Sequence, residues 1–367
     1  MKGSVKKEGK SWYYVFSLPN ANGERKQKKK RGFKTKNEAQ MALAEAINAV
    51  NKGSYIEPSK LLYKDYLEQW FKTKQNSIGV QTARVYKDHL NGKIIPGLGK
   101  VMLSKLTAIQ IQTFINGLSQ AGLRSSTVKK TFEIIRNSLE HAVDFEMIPK
   151  NPAKKVKLPK SNKKEMNIWN ENEVNGFLEV AKKDPIYIVF ILALTTGMRQ
   201  GEILGVRWKD IDLEKGLINI KQTLSHDGKT FLSGAKTKSS LRTINLSLAT
   251  INHLKRRKRI VSKEKLSLGP EYQDFDLIAC TQHGTPLNPA NVRRSFNRLI
   301  NFADVPKIRF HDLRHTHATL LLSKGVNVKV ISERLGHSDI KVTLDTYSHV
   351  LPTMQEEAVR HLDEIIR

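Results

Sequence analysis

A few residues occur in an order suited to phosphate chemistry. Thr196-Gly197-Met198-Arg199-Gln200-Gly201-Glu202 is followed by His311-Asp312-Leu313-Arg314-His315, by Leu335-Gly336-His337, and by Tyr347, one of nine tyrosines. Between the first two blocks lies Gly234-Ala235-Lys236-Thr237-Lys238-Ser239-Ser240. Arginine forks can neutralise a phosphodiester. Histidines exchange protons near neutral pH, and a tyrosine can attack phosphorus and hold it covalently. Each residue alone has a duller reading. Arg199 and Glu202 would be a helical salt bridge, Tyr347 a core or surface tyrosine, and His315 and His317 structural histidines. The joint order is what points to phosphoryl transfer. The spacing of His311 and His315 suits a helical zinc pair. However, Asp312-Leu313-Arg314 stands where a metalloprotease carries its glutamate, and no third ligand is evident, so no metal is expected.

The elements around these residues can be read from pattern. Asn170 with Glu173 is a capping box opening a helix. The apolar stretch 186–195 reads as a buried helix running into the Thr196-Gly197 break, and Arg199 and Glu202, three apart, share a face of the next helix. Short strands are expected over 217–223, 230–233 and 241–246, with the basic segment 234–240 as a hairpin tip. The remainder reads as helical, ending in an amphipathic stretch over 353–366.

Upstream, residues 1–58 combine an aromatic, β-branched strand (Trp12 to Leu18), an Asn22-Gly23 turn and a second strand that is almost wholly cationic: Arg25, Lys26, Gln27, Lys28, Lys29, Lys30, Arg31. Asn37 then caps a helix with its apolar stripe at Ala39, Leu43, Ala46, Ile47 and Val50. A charge run is commonly a solvated edge or tail. Between an aromatic strand and an amphipathic helix, it reads instead as an ordered ribbon for a nucleic-acid groove. Helices are expected over 63–74, 82–90, 109–120 and 126–146, with Pro96-Gly97-Leu98-Gly99 breaking the run between the second and third. Residues 152–164, with Lys154, Lys155 and Lys157, have the composition of an extended basic linker following a phosphate backbone.

Bulk properties agree. A chain of 367 residues implies two or three domains. Lysine and arginine outnumber acids 63 to 35, giving a net charge of +28 and implying a polyanionic partner. Cys280, the one cysteine, excludes an internal disulfide and fits a reducing compartment. The apolar run 186–194 is too short to cross a bilayer, and the charged start lacks the apolar stretch of a signal peptide. A cytoplasmic protein without membrane contact is expected.

The ordered set resembles the signature of the tyrosine recombinase (phage integrase) family: an arginine, a hairpin lysine, His-x-x-Arg, a His or Trp, and a nucleophilic tyrosine. The matching residues are Arg199, Lys236 or Lys238 (Lys236 has the more family-like Lys-Thr context), His311 with Arg314, His337 and Tyr347, with no departure at the catalytic positions. The resemblance extends over the whole chain. Residues 1–58 look like an arm-type DNA-binding domain, a three-stranded sheet plus helix; 61–151 like a helical, SAM-like core-binding domain; and 165–367 like the α+β catalytic domain, making a multidomain, mainly α protein. It implies an integrase of a phage or conjugative element from a Gram-positive-type host. Such an enzyme cuts and rejoins double-stranded DNA at core and arm sites through a 3′-phosphotyrosine, without ATP, metal or other cofactor.

In that mechanism Arg199 and Arg314 hold the phosphate oxygens, His311 assists proton removal from Tyr347, Lys236 protonates the departing 5′-oxygen, His337 hydrogen-bonds the phosphate, and Glu202 steadies Arg199 or His311. The resemblance further implies a homotetramer on DNA, a tail after Tyr347 that packs on a neighbouring protomer, an excisionase and a host DNA-bending protein. A housekeeping Xer-like recombinase and a type IB topoisomerase share the chemistry. The segment 1–58 argues against the former, and the complete catalytic set against a non-catalytic regulator.

Overall fold

The computed structural model describes residues 3–19, 25–51, 60–159, 167–233, 241–347, 359 and 362–366. It divides into two compact units, Met1–Lys163 and Lys164–Arg367.

In the first unit, β1 (Gly3–Glu8), β2 (Ser11–Pro19) and β3 (Arg25–Phe33) form an antiparallel sheet in the order β1-β2-β3, followed by α1 (Lys36–Asn51). Alternation along β2 turns Tyr14 and Phe16 onto Leu43 and Ala46 of α1, forming a small core. β1 has little apolar alternation, so pattern reading finds only its two partners. The same two-residue period divides the cationic run between the two faces of the sheet. Lys29 and Arg31 both reach Glu8 of β1, at 3.2 and 3.0 Å, and Lys29 lies 3.7 Å over the Tyr13 ring. Lys30 instead lies over Phe33.

The helical part contains α2 (Tyr63–Lys74), α3 (Val80–His89), α4 (Ile95–Leu98), α5 (Ala108–Gln120) and α6 (Ser125–Asp144). Val128, Phe132, Ile135, Leu139 and Ala142 of α6 are all buried, as their spacing predicts. The run breaks within 96–99 as expected, ending at Leu98 with Gly99 as its C-cap, but Pro96 is not what stops it. A wide π-turn over Leu90–Ile94 joins α3 to α4, and Pro96 falls in the first turn of α4, where its missing N–H is harmless.

The linker reading also needs correction up to residue 158. Asn151 caps a 3₁₀ turn, Pro152–Lys155, and its amide donates to the Arg136 carbonyl and Glu140. Lys154 pairs with Glu140 at 2.7 Å, and the Lys157 backbone exchanges two hydrogen bonds with the Gln112 side chain. Val156 and Leu158 pack on the helical core. These bonds, several to partners far along the chain, are invisible to composition.

The second unit comprises α7 (Glu171–Ala181), α8 (Tyr187–Thr196), α9 (Gln200–Gly205), β4 (Ile211–Asp212), β5 (Leu217–Ile220), β6 (Gln222–Leu224), β7 (Phe231–Ser233), β8 (Arg242–Asn245), α10 (Leu248–Leu268), α11 (Pro289–Ala303), α12 (Asp312–Ser323), α13 (Val328–Leu335) and α14 (Ile340–Tyr347). The Asn170–Glu173 capping box is present. Every residue of 188–194 is buried, which makes α8 the centre of a core with Trp169, Phe177, Phe296 and Phe310. The stretch read as one strand over 217–223 serves two sheets, β4-β5-β8 and β6-β7, and is split at Lys221. The expected tail helix over 353–366 falls mostly outside the described residues, of which 362–365 are helical. Among the described residues no helix is long and apolar enough to cross a membrane.

Candidate active site

The site is assembled where α8, α12 and α13 meet. α8 ends at Gly197, whose φ of +66° is left-handed. A Cβ at this position would lie 2.6 Å from His317 and 2.7 Å from Leu335, so glycine serves both the turn and the close approach of α12 and α13. Arg199, two residues on, is the N-cap of α9 rather than a member of the helix. Glu202 at the third helical position accepts from the Arg199 backbone N–H at 2.9 Å and from its Nη1 at 2.8 Å. The pair is thus a capping interaction. The Arg199 side chain stays 40% exposed while Glu202 is buried.

Beneath this pair stands Arg242, which sequence reading missed. Its Nη1 and Nη2 donate to the two Glu202 oxygens at 3.1 and 2.8 Å, and its Nε donates to the Arg334 carbonyl at 2.8 Å. Burial alone would raise the Glu202 pKa, but the hydrogen bonds and charges of Arg242 and Arg199 outweigh it and hold the carboxyl at about 2. The folded state therefore binds this proton less readily than the unfolded chain, whose carboxyl titrates near 4.5. The resulting stabilisation, on the order of 3 kcal/mol, is fully present above that pH and is lost as pH falls toward 2. Glu202→Gln should accordingly show its full stability deficit in urea unfolding at neutral pH, with the gap from wild type narrowing by about pH 3. A gap that stays constant with pH would remove the carboxylate charge as its cause.

Arg314 is buried, and its Nη1 and Nη2 donate to the carbonyls of Gly197 and Leu335 at 2.7 and 2.6 Å, tying the end of α8 to the end of α13. Burial and the nearby Arg199 push its pKa down to about 9, which leaves it a cation at neutral pH. After α13, Gly336 takes a left-handed turn, its carbonyl lies 3.4 Å from Arg199 Nη2, and His337 follows with its Nδ1 2.8 Å from Thr343 Oγ1.

Tyr347 ends α14 and is only 1% exposed, packed with Ala318, Leu322, Ile331 and Leu335. Its Oη lies 2.8 Å from Nδ1 of His315 rather than against His311. His311, exposed at the N-cap of α12, meets His315 edge to face with ring centroids 5.2 Å apart. Burial pushes the Tyr347 phenol up to about 12, with Arg314 pulling the other way. Burial, followed by neighbouring histidine and arginine charges, brings His315 and His337 down to about 4, and desolvation with Arg314 also lowers His311. All three imidazoles are therefore neutral at pH 7 and able to accept protons.

His317 is structural, its Nδ1–H donating to the Leu194 carbonyl and its Nε2 facing Arg334. Thus Arg199, Glu202, His311, Arg314, His337 and Tyr347 converge, while Lys236 and Lys238 lie outside the described residues. The DNA-binding candidates Arg25 to Arg31 and Lys154 to Lys157 belong to the first unit. Only the charge of Arg242 within a strand marked it in the sequence. His315 was signalled by its place one turn beyond His311. Among the described residues, no group of three or more His, Cys, Asp or Glu side chains is arranged to hold a metal ion.

Two arginines, neutral imidazoles and a buried tyrosine on this α+β frame define a tyrosine recombinase. The chain belongs to the phage integrase family, whose model matches residues 168–354; the Arm DNA-binding domain model matches 4–50 and the phage integrase N-terminal SAM-like domain model 62–119. A protein named tyrosine recombinase XerC-like from Caldanaerobacter subterraneus is 31% identical over 99% of both chains. The ICEBs1 integrase of Bacillus subtilis is 29% identical over 72% of both. Among solved structures, the Tn1549 transposon integrase in complex with a circular intermediate DNA aligns with a TM-score of 0.70 at 20% identity, covering 82% of this chain and 99% of that one. A lambda integrase tetramer bound to a Holliday junction gives 0.62 at 19% identity, covering 91% and 92%.

Proposed function

We propose that this enzyme integrates and excises a mobile element by cutting and rejoining DNA through a 3′-phosphotyrosine at Tyr347. The carrying observation is the convergence of Arg199, Arg314, His337 and Tyr347, distant in sequence, on one site. Arg199 and Arg314 bind the non-bridging oxygens and stabilise the charge of the pentavalent transition state. Both guanidiniums keep N–H donors beyond those used within the protein. His311 and His337 line the phosphate, and Lys236 protonates the leaving 5′-oxygen. Attack by a partner strand's 5′-hydroxyl reverses the step, with the bond energy retained in the ester. The enzyme works as a homotetramer on core and arm sites in the cytoplasm, with an excisionase and a host DNA-bending protein. Residues 1–58 bind arm sites, 61–151 the core site, and 165–367 carry out catalysis.

The XerC-like relative keeps the housekeeping reading in view, since it too spans the whole chain. The arm-domain match over 4–50 and the ICEBs1 integrase favour the mobile-element reading. Incubation with a nicked core-site DNA, from which the cleaved fragment diffuses away, should accumulate a covalent protein–DNA adduct mapping to Tyr347. The absence of any adduct would overturn the reading.

Lys29 and Arg31 lie on one sheet face with Tyr13, and their exposed ion pairs with Glu8 are weak enough for a phosphate to displace, which supports arm-site binding by the N-terminal sheet. Replacing both with glutamine should weaken arm-site binding, reduce the salt dependence by about two phosphate contacts, and spare core-site cleavage. Unchanged arm binding in a salt titration would remove this face from the interface.

A further inference from the structure

We propose that His315 is the group that takes the proton from Tyr347 as the phenol attacks, a role that the family resemblance gives to His311. The proposal rests on the reading of Tyr347 as nucleophile. Residues 311 and 315 are four apart at the start of α12 and share one face, but the tyrosine reaches only the second. The 2.8 Å from Nδ1 to Oη is within the reach required of a general base. With the phenol O–H donating to Nδ1, the ring proton stays on Nε2.

The groups facing His315 are His311, Asp312, Arg309 and Arg314 on or beside its own helix, Tyr347 from α14, and His337. Asp312 is occupied by Arg309, whose backbone N–H, Nε and Nη2 all donate to it at 2.7 to 3.0 Å. His315 therefore lacks a dedicated carboxylate, and cations surround it. A phosphodiester arriving between Arg199 and Arg314 supplies the missing negative charge, so the imidazolium is stabilised only when substrate is present.

In the step itself the Tyr347 O–H bond breaks as the Oη–P bond forms, and the proton passes to Nδ1. The P–O5′ bond breaks, and the 5′-oxygen takes its proton from the lysine general acid. On rejoining, the partner 5′-hydroxyl gives its proton to the lysine as its oxygen bonds to phosphorus, the P–Oη bond breaks, and His315 returns the proton to Tyr347.

The test is single-turnover cleavage of nicked core-site DNA by the full-length protein. His315→Ala should slow cleavage about 10²- to 10⁴-fold near neutral pH. His315→Asn, which keeps a hydrogen-bond acceptor but cannot take the proton, should be equally slow. Placing a difluorinated, more acidic tyrosine at position 347 should restore most of the rate to both variants. Wild-type rates in either variant, recovery by asparagine alone, or a deficit that the acidic tyrosine leaves unchanged would overturn the proposal, as would selective rescue of His311→Ala instead. If the wild-type protein forms no adduct at Tyr347, it is the nucleophile reading that has failed.

Discussion

Tyr347→Phe will bind core-site DNA with the affinity of the wild-type protein and form no covalent adduct. The change removes a single hydroxyl that, among the described residues, hydrogen-bonds His315, and the ring keeps its packing against Ala318, Leu322, Ile331 and Leu335. Losing that bond costs about 1 kcal/mol, too little to unfold the second unit. The chemical loss is of another order, since no other group takes over when a covalent nucleophile is deleted, and cleavage should fall by about 10⁴-fold or more. A band-shift titration run beside the trapping assay separates the two quantities. Persistent adduct in this variant would place the nucleophile at another of the nine tyrosines.

What could be read in advance follows the range of the interactions involved. Local signals transferred well: α2 (Tyr63–Lys74) has the expected bounds, the Asn170–Glu173 cap is where its spacing places it, and Gly197 ends α8. Each depends on residues within one or two helical turns. The features that escaped depend on partners far along the chain. Arg242 meets Glu202 across 40 residues, and His315 meets Tyr347 across 32. Of two histidines one helical turn apart, nothing in the spacing says which will face α14, because the packing of α14 on α12 and α13 decides it. The order of residue types suited to phosphoryl transfer could be listed in advance because chemistry restricts the choice of residue. The hydrogen bonds that orient them could not, since a carbonyl such as Leu335 is available in any sequence.

A similar limit applies to the basic segments. Composition located the cations of β3 and of 152–158, but period-two alternation and capping bonds decide which of them remain available. Lys154, Lys155 and Lys157 are all exposed, but Lys154 is paired with Glu140. Charge counting therefore overstates the surface offered to DNA.

Arg314→Ala should lose cleavage by about 10³-fold or more while weakening DNA binding much less. Two effects combine in this residue. As a phosphate ligand it opposes charge that develops in the transition state, and removing one such donor costs about 10²- to 10³-fold. As a clamp it satisfies the buried carbonyls of Gly197 and Leu335, whose desertion costs roughly 1–3 kcal/mol each and loosens the turns that present Arg199 and His337. Arg314→Lys tells the two apart. An ammonium keeps the charge but lacks the planar fork needed to span carbonyls from α8 and α13. It should recover part of the DNA affinity, little of the cleavage rate, and little of the stability in urea unfolding. Full recovery of cleavage by lysine would mean that charge alone matters and that the clamp is incidental. Equal losses of binding and cleavage in the alanine variant would make Arg314 an anchor for DNA rather than a stabiliser of the transition state.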